Sequence, residues 1–111
     1  MKRYTGQRTD RQTFVVVQVE NADHEYLLNP RIDLKNHSPD GFEWGYGGSG
    51  PAQLAFAILA DHLEDDGRAE DTYQRFKELV IAPLKDEAWV LTSQQVDRAL
   101  KEIEQEIGIH G

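Results

Sequence analysis

The stretch from Gly41 to Leu63, GFEWGYGGSGPAQLAFAILADHL, constrains the fold more than any other part of the chain. Leu54, Phe56, Ile58, Leu59 and Leu63 are interleaved with Ala52, Ala55, Ala57 and Ala60, which leaves a helix almost no polar surface to show to water. Such a helix has to be central and covered on more than one side, and its alanines let neighbouring backbones approach closely. Pro51 suits the first turn, where a missing N–H costs nothing, and Ser49 or Gly50 is placed to cap it. Gly67 marks the stop.

The remaining segments supply the cover. TFVVVQV, Thr13–Val19, is β-branched and aromatic and predicts the firmest strand. KRYTG before it reads as a short partner strand, with Gly6 to Gln12 as the turn, and Tyr26 to Leu28 as a returning strand. PRIDLKN alternates in period two and predicts an edge strand or an extended loop, followed by a type I turn over Ser38 to Gly41. A second helix is expected from about Arg68 to Ala82, with Ala69, Tyr73, Phe76 and Val80 on one stripe and Pro83 ending it. Ala88 to Thr92 reads as a strand. Thr92 with Gln95 spells a capping box for a last helix carrying Val96, Leu100, Ile103 and Ile107. The order implies one α+β domain over residues 1–111: a small, mainly antiparallel sheet of three or four strands against three α-helices, with residues 1–12 and 108–111 as mobile ends.

The totals agree with a single core, since 111 residues bury roughly two thirds of their unfolded surface. There is no cysteine, which excludes disulfides, thiolate metal sites and a cysteine nucleophile together. No apolar stretch comes after the basic start, and none approaches about 18 residues, so a cytoplasmic protein without a membrane segment is expected. The formal charge of −8 speaks against direct nucleic-acid binding, because phosphate contacts need clustered Lys and Arg.

Gly45, Gly47 and Gly50 spell G-x-G-x-x-G, yet nucleotide chemistry is not implied. A phosphate loop needs Lys and then Ser or Thr after its last glycine, where this chain has Pro51 and Ala52. A dinucleotide fold needs more parallel strands than the chain can supply. The weaker physical idea survives: a glycine-fed helix start exposes N–H groups and the positive end of the helix dipole. Trp44, Tyr46, Gly47, Gly48, Ser49, Gly50 and Gln53 are therefore the candidate contact residues for a protein partner or a small anionic ligand. The competing expectation is that the aromatics are core and the glycines allow close packing.

Two further features invite a function. From Asp61 to Asp71, six carboxylates (Asp61, Glu64, Asp65, Asp66, Glu70 and Asp71) face Arg68 alone, and such a run is either a solvated turn or an acidic face for a basic partner. His24, His37, His62 and His110 show no metal-ligand pair, although His62 with Asp61 or Asp65 is a conceivable weak cation site. Ser49 lacks the nucleophile-elbow pattern. Asp40, Glu43 and His37 are near one another in sequence without forming a recognisable acid–base set. No cofactor, metal or catalytic residue is expected, and a homo-oligomer is compatible with the composition.

DGFEWGYGGSGPAQLAFAIL, the adjoining ADHLEDDGRA, the helix YQRFKELVIAPL and the strand WVLT together resemble a family of short bacterial, archaeal and phage proteins catalogued as a domain of unknown function. The resemblance spans about Tyr4 to about Ile103, with Phe56 where a smaller aliphatic is expected. It implies no assigned reaction, and a setting of phages and mobile elements, in which small acidic proteins include inhibitors of host defence. The functional expectation is accordingly a small non-catalytic binding protein with its site at Trp44–Gln53. The alternatives are an acidic inhibitor acting through Asp61–Asp71, or a small enzyme of unassigned class.

Overall fold

A computed structural model of the chain describes residues 1–10, 12–38 and 41–108. The apolar segment forms helix α1, Ser49–Leu63, in which every residue from Gly50 to Ala60 is buried. Around it the chain lays down β1 (Lys2–Arg8), β2 (Thr13–Val19) and β3 (His24–Leu27), then α2 (Asp66–Phe76), β4 (Ala88–Thr92) and α3 (Ser93–Glu106). The strands form one sheet in the order β3-β2-β1-β4, antiparallel at each junction. The fold is thus α+β, four strands and three α-helices, as the sequence pattern requires.

Alternation in the strands decides which sheet face meets the helices. Tyr4, Val15, Val17, Trp89 and Leu91 are buried and join the residues of α1, α2 and α3 in one apolar core. Arg3, Gln7, Phe14, Gln18 and Val90 point the other way and are exposed. Gly6 is needed at its place in β1 because the Trp89 indole lies flat against it; an added Cβ would come within 2.2 Å of that ring.

Several expectations are corrected. The partner strand expected over KRYTG runs on to Arg8, so Gly6 to Arg8 are paired with β2 rather than part of the turn, and Tyr4 is wholly buried. The N-cap of α1 is Gly48, with extended backbone and no side-chain cap, so neither Ser49 nor Gly50 has that role. The helix stops at Glu64, which takes the left-handed conformation at φ 52° and returns its N–H to the Ala60 carbonyl at 3.1 Å. Gly67 lies inside the first turn of α2, which is capped by Asp65 accepting from the Arg68 N–H at 3.1 Å. The second helix is not a continuous α-helix to Ala82. At Lys77–Ile81 it widens into a π turn, closed by the Ala82 N–H donating to the Lys77 carbonyl at 2.8 Å. The extra residue in this turn shifts the helical phase, so Ile81 rather than Val80 fills the core.

The last strand and helix match the expected pattern, capping box included, although Ile107 falls beyond α3 and is exposed. PRIDLKN is a loop without a strand partner, with Ile32 and Leu34 exposed and Arg31 at φ 56°. The expected turn at Ser38–Gly41 and the last three residues of the chain fall partly or wholly outside the described residues.

Candidate functional site

The glycine-rich loop divides into a buried half and a displayed half. Trp44 is only 1% exposed; its indole N–H donates to the Asp86 carbonyl at 2.9 Å, and its ring stands perpendicular to Trp89 at 5.4 Å. The Arg8 guanidinium lies 4.6 Å over the Trp44 ring while bonding Glu43 at 2.6 Å and Glu87 at 3.0 Å. Gly50 is buried, and a Cβ there would press on that of Glu43 at 2.7 Å. Trp44 and Gly50 therefore belong to the frame, not to a contact surface.

Gln53 belongs there too, for a different reason. Its amide is wholly buried and uses all its capacity on the loop before it. The oxygen accepts from the backbone N–H groups of His37 at 2.8 Å and Ser38 at 3.1 Å. The nitrogen donates to the carbonyls of Pro30 at 2.5 Å and Lys35 at 2.7 Å. A glutamine on an otherwise apolar helix is the one sequence sign of this grip, and it reads equally well as a surface contact.

What remains on display is Tyr46 to Ser49. Gly45 holds φ 89°, its N–H donates to the Ile81 carbonyl at 3.1 Å, and its carbonyl accepts from Lys85 Nζ at 2.8 Å. Beyond this pinned residue Tyr46 is 51% exposed, and its ring rests against Gly48, where a Cβ would come within 2.6 Å. Gly47 faces open space and Ser49 is exposed.

The six carboxylates of the acidic run are dispersed. Asp66 pairs with Arg31 at 3.2 Å, Glu70 with Lys35 at 2.6 Å, and Asp65 is the α2 cap. Glu64 and Asp71 remain exposed on the surface. Asp61 points inward, and the network it anchors has no motif in the sequence. Its carboxylate accepts from the Tyr4 hydroxyl at 2.6 Å, the Tyr26 hydroxyl at 2.6 Å and Lys2 Nζ at 3.0 Å. Burial, and then the bond to Asp61, push the Tyr4 phenol far above its ordinary value. Tyr26 is raised by the same two causes, partly opposed by Lys2. Burial pulls Lys2 down, but its bonds to Asp61 and Tyr26 and the carboxylate charge outweigh that and raise it. Both phenol protons are committed to one carboxylate, so the cluster acts as a latch between β1, β3 and α1.

The histidines are engaged separately. His37 Nε2 meets the Tyr73 hydroxyl at 2.9 Å, His62 Nε2 meets Asp97 at 2.5 Å, and the His24 ring lies tilted against Tyr26 with centroids 5.6 Å apart. His62 therefore does not join Asp61 or Asp65, and no group of three or more metal-ligating side chains occurs among the described residues. Asp40 and His110 lie outside those residues. A cleft of about 430 Å³ lies beside the β1–β2 turn, lined in part by Arg8, Asp10, Thr13 and Glu43, with Arg8 and Glu43 already neutralising each other. No helix is long and apolar enough to cross a membrane among the described residues.

Residues 4–102, with the buried helix and its glycine-rich approach at their centre, match a family of unknown function, DUF6166. The chain belongs to that family. The match begins at the latch tyrosine of β1 and runs nearly to the end of α3, so it takes in most of the sheet and all three helices. No curated protein and no solved structure matches the chain.

Proposed function

We propose that this DUF6166 chain is a non-catalytic interaction module that presents the Tyr46–Ser49 loop to a protein partner. One observation carries the reading: Tyr46 stands half in solvent, on a loop fixed at Gly45 from two sides, with its ring held against Gly48. A pre-positioned tyrosine offers a large amphipathic contact at small entropic cost, which is why such residues dominate binding energy at interfaces. A small anion at the helix start is less favoured, because α1 is buried from Gly50 onward.

The acidic-inhibitor reading, which comes from a resemblance to phage and mobile-element proteins, rests on the Asp61–Asp71 run and the formal charge of −8. It is less favoured because Asp61 is turned inward, Asp65 caps α2, and Asp66 and Glu70 are paired with Arg31 and Lys35. An enzyme reading would have to draw on the cleft at Arg8 and Glu43.

The test is a photo-reactive phenylalanine placed at position 46 and, as control, at position 71, in the producing cell. A specific adduct from position 46 with none from 71 supports the reading. Absence of any adduct from position 46 sinks it.

A further inference from the structure

The solvent face of the sheet is a second surface that folding leaves unused, and it stands independently of the Tyr46 loop. Register places its residues in rows. The middle row crosses all four strands as Leu27, Val16, Thr5 and Val90. The row toward one end reads Glu25, Gln18, Arg3 and Thr92, and the row toward the other reads Phe14, Gln7 and Ala88. Leu27 is 67% exposed, Val90 51% and Phe14 40%, with no helix over any of them. An apolar row of this kind on a sheet is otherwise an open invitation to association.

Charge selects the occupant. The chain carries −8, yet among the described residues the rows of this face themselves hold Arg3 and Glu25, with Glu20 at the end of β2 paired with Arg3 at 3.6 Å and Asp23 in the turn beyond. It is close to neutral, so two copies can meet here without bringing their acidic surfaces together. The pattern is also self-complementary. A two-fold axis running along the strands between β1 and β2 exchanges β1 with β2 and β3 with β4. It sets Leu27 against Val90 of the second copy and Val16 against Thr5 of the second copy. It also brings Arg3 of one copy over Gln18, beside Glu25, of the other, so the two opposite charges converge twice.

The geometry points to a homodimer formed by face-to-face packing of the two sheets through Leu27, Val16, Val90 and Phe14. Four strands about 4.8 Å apart, roughly 24 Å long in β1 and β2 but only roughly 14 and 17 Å in β3 and β4, give a footprint of roughly 375 Å² per copy. The total of roughly 750 Å² lies well below the standard size of a tight complex, so the dimer is a weak one that exchanges with monomer at roughly tens to hundreds of micromolar. Screening of the remaining negative charge makes it tighter, not weaker, as salt rises.

Sedimentation equilibrium of the full chain, from about 1 to about 300 µM, reads the outcome. A monomer–dimer equilibrium is expected, with Leu27→Glu and Val90→Glu each raising the dissociation constant at least about tenfold while circular dichroism stays unchanged. Arg3→Glu alone weakens the dimer, and the exchange Arg3→Glu with Glu25→Arg restores it. A chain monomeric throughout the range overturns the inference. So does a dimer whose dissociation constant Val90→Glu leaves unmoved, or one the charge exchange does not rescue. An adduct at position 46 bears on the loop alone, so the two readings fail separately.

Discussion

Tyr4, on an inner strand of the sheet, and Asp61, near the end of the buried helix, meet in a 2.6 Å hydrogen bond across 57 residues of sequence. With Tyr26 and Lys2 on the same carboxylate, this bond fastens one end of the sheet to α1. Removing Asp61 strands the Tyr4 hydroxyl in the core and leaves Lys2 without its counter-charge. Asp61→Ala is expected to cost about 3 kcal/mol, measured by urea denaturation at neutral pH.

The same network sets an alkaline limit. Tyr4 and Lys2 are both raised above their ordinary values of 10.0 and 10.5, so the native state holds protons that the unfolded chain releases. Their stabilisation is complete below about pH 10 and is lost as pH climbs beyond it. Thermal melts should show the midpoint falling above pH 10, and Tyr4→Phe should flatten that fall. An unchanged slope in Tyr4→Phe would remove Tyr4 as its source.

Gln53→Ala leaves two N–H groups and two carbonyls of the preceding loop unpaired. A loss of about 3 kcal/mol, or about 10 °C in Tm, is expected. Hydrogen exchange at His37 and Ser38 should rise along with it. Gln53→Glu should also be harmful at neutral pH, because a carboxylate cannot donate to Pro30 and Lys35.

Gly6→Ala should destabilise by about 2 kcal/mol, through collision with the Trp89 indole. In a Trp89→Leu background the same change should cost much less. The double-mutant cycle therefore reports a coupling, and additive effects would refute the contact as the cause.

Within the glycine loop two neighbours should behave oppositely. Gly45→Ala meets the Leu84 carbonyl at 2.8 Å and a left-handed φ, and a loss above about 1 kcal/mol is expected. Gly47→Ala meets nothing within 4 Å and should stay within about 0.5 kcal/mol of the parent in the same melts.

The parts of this fold legible in the sequence are those written in local periodicity. The β-branched and aromatic run Thr13–Val19, the apolar run after Pro51, and Thr92 with Gln95 each specify an element from neighbours alone. The π turn is not legible, because Val80 and Ile81 are both apolar and only packing chooses between them. Asp61 is hidden for a related reason: six carboxylates in eleven residues look alike until Tyr4 and Tyr26 single one out from distant strands. Trp44 and Gln53 pass for contact residues because an aromatic or an amide beside glycines has the same sequence signature in a core as at a site. Tyr46, of the same pattern, is the aromatic that stays outside.

The Gln53 side chain also has a consequence for how the loop before α1 can vary. The loop from Pro30 to Ser38 has no ladder partner, and each of the four groups the amide grips is a backbone atom. The grip itself is indifferent to what side chains the loop carries at those four positions. Ile32 and Leu34 are thus free to change in character, while Arg31, Lys35 and His37 hold side-chain bonds of their own, and adding or deleting a residue would misplace the grip. Here length is the message, and spelling is open.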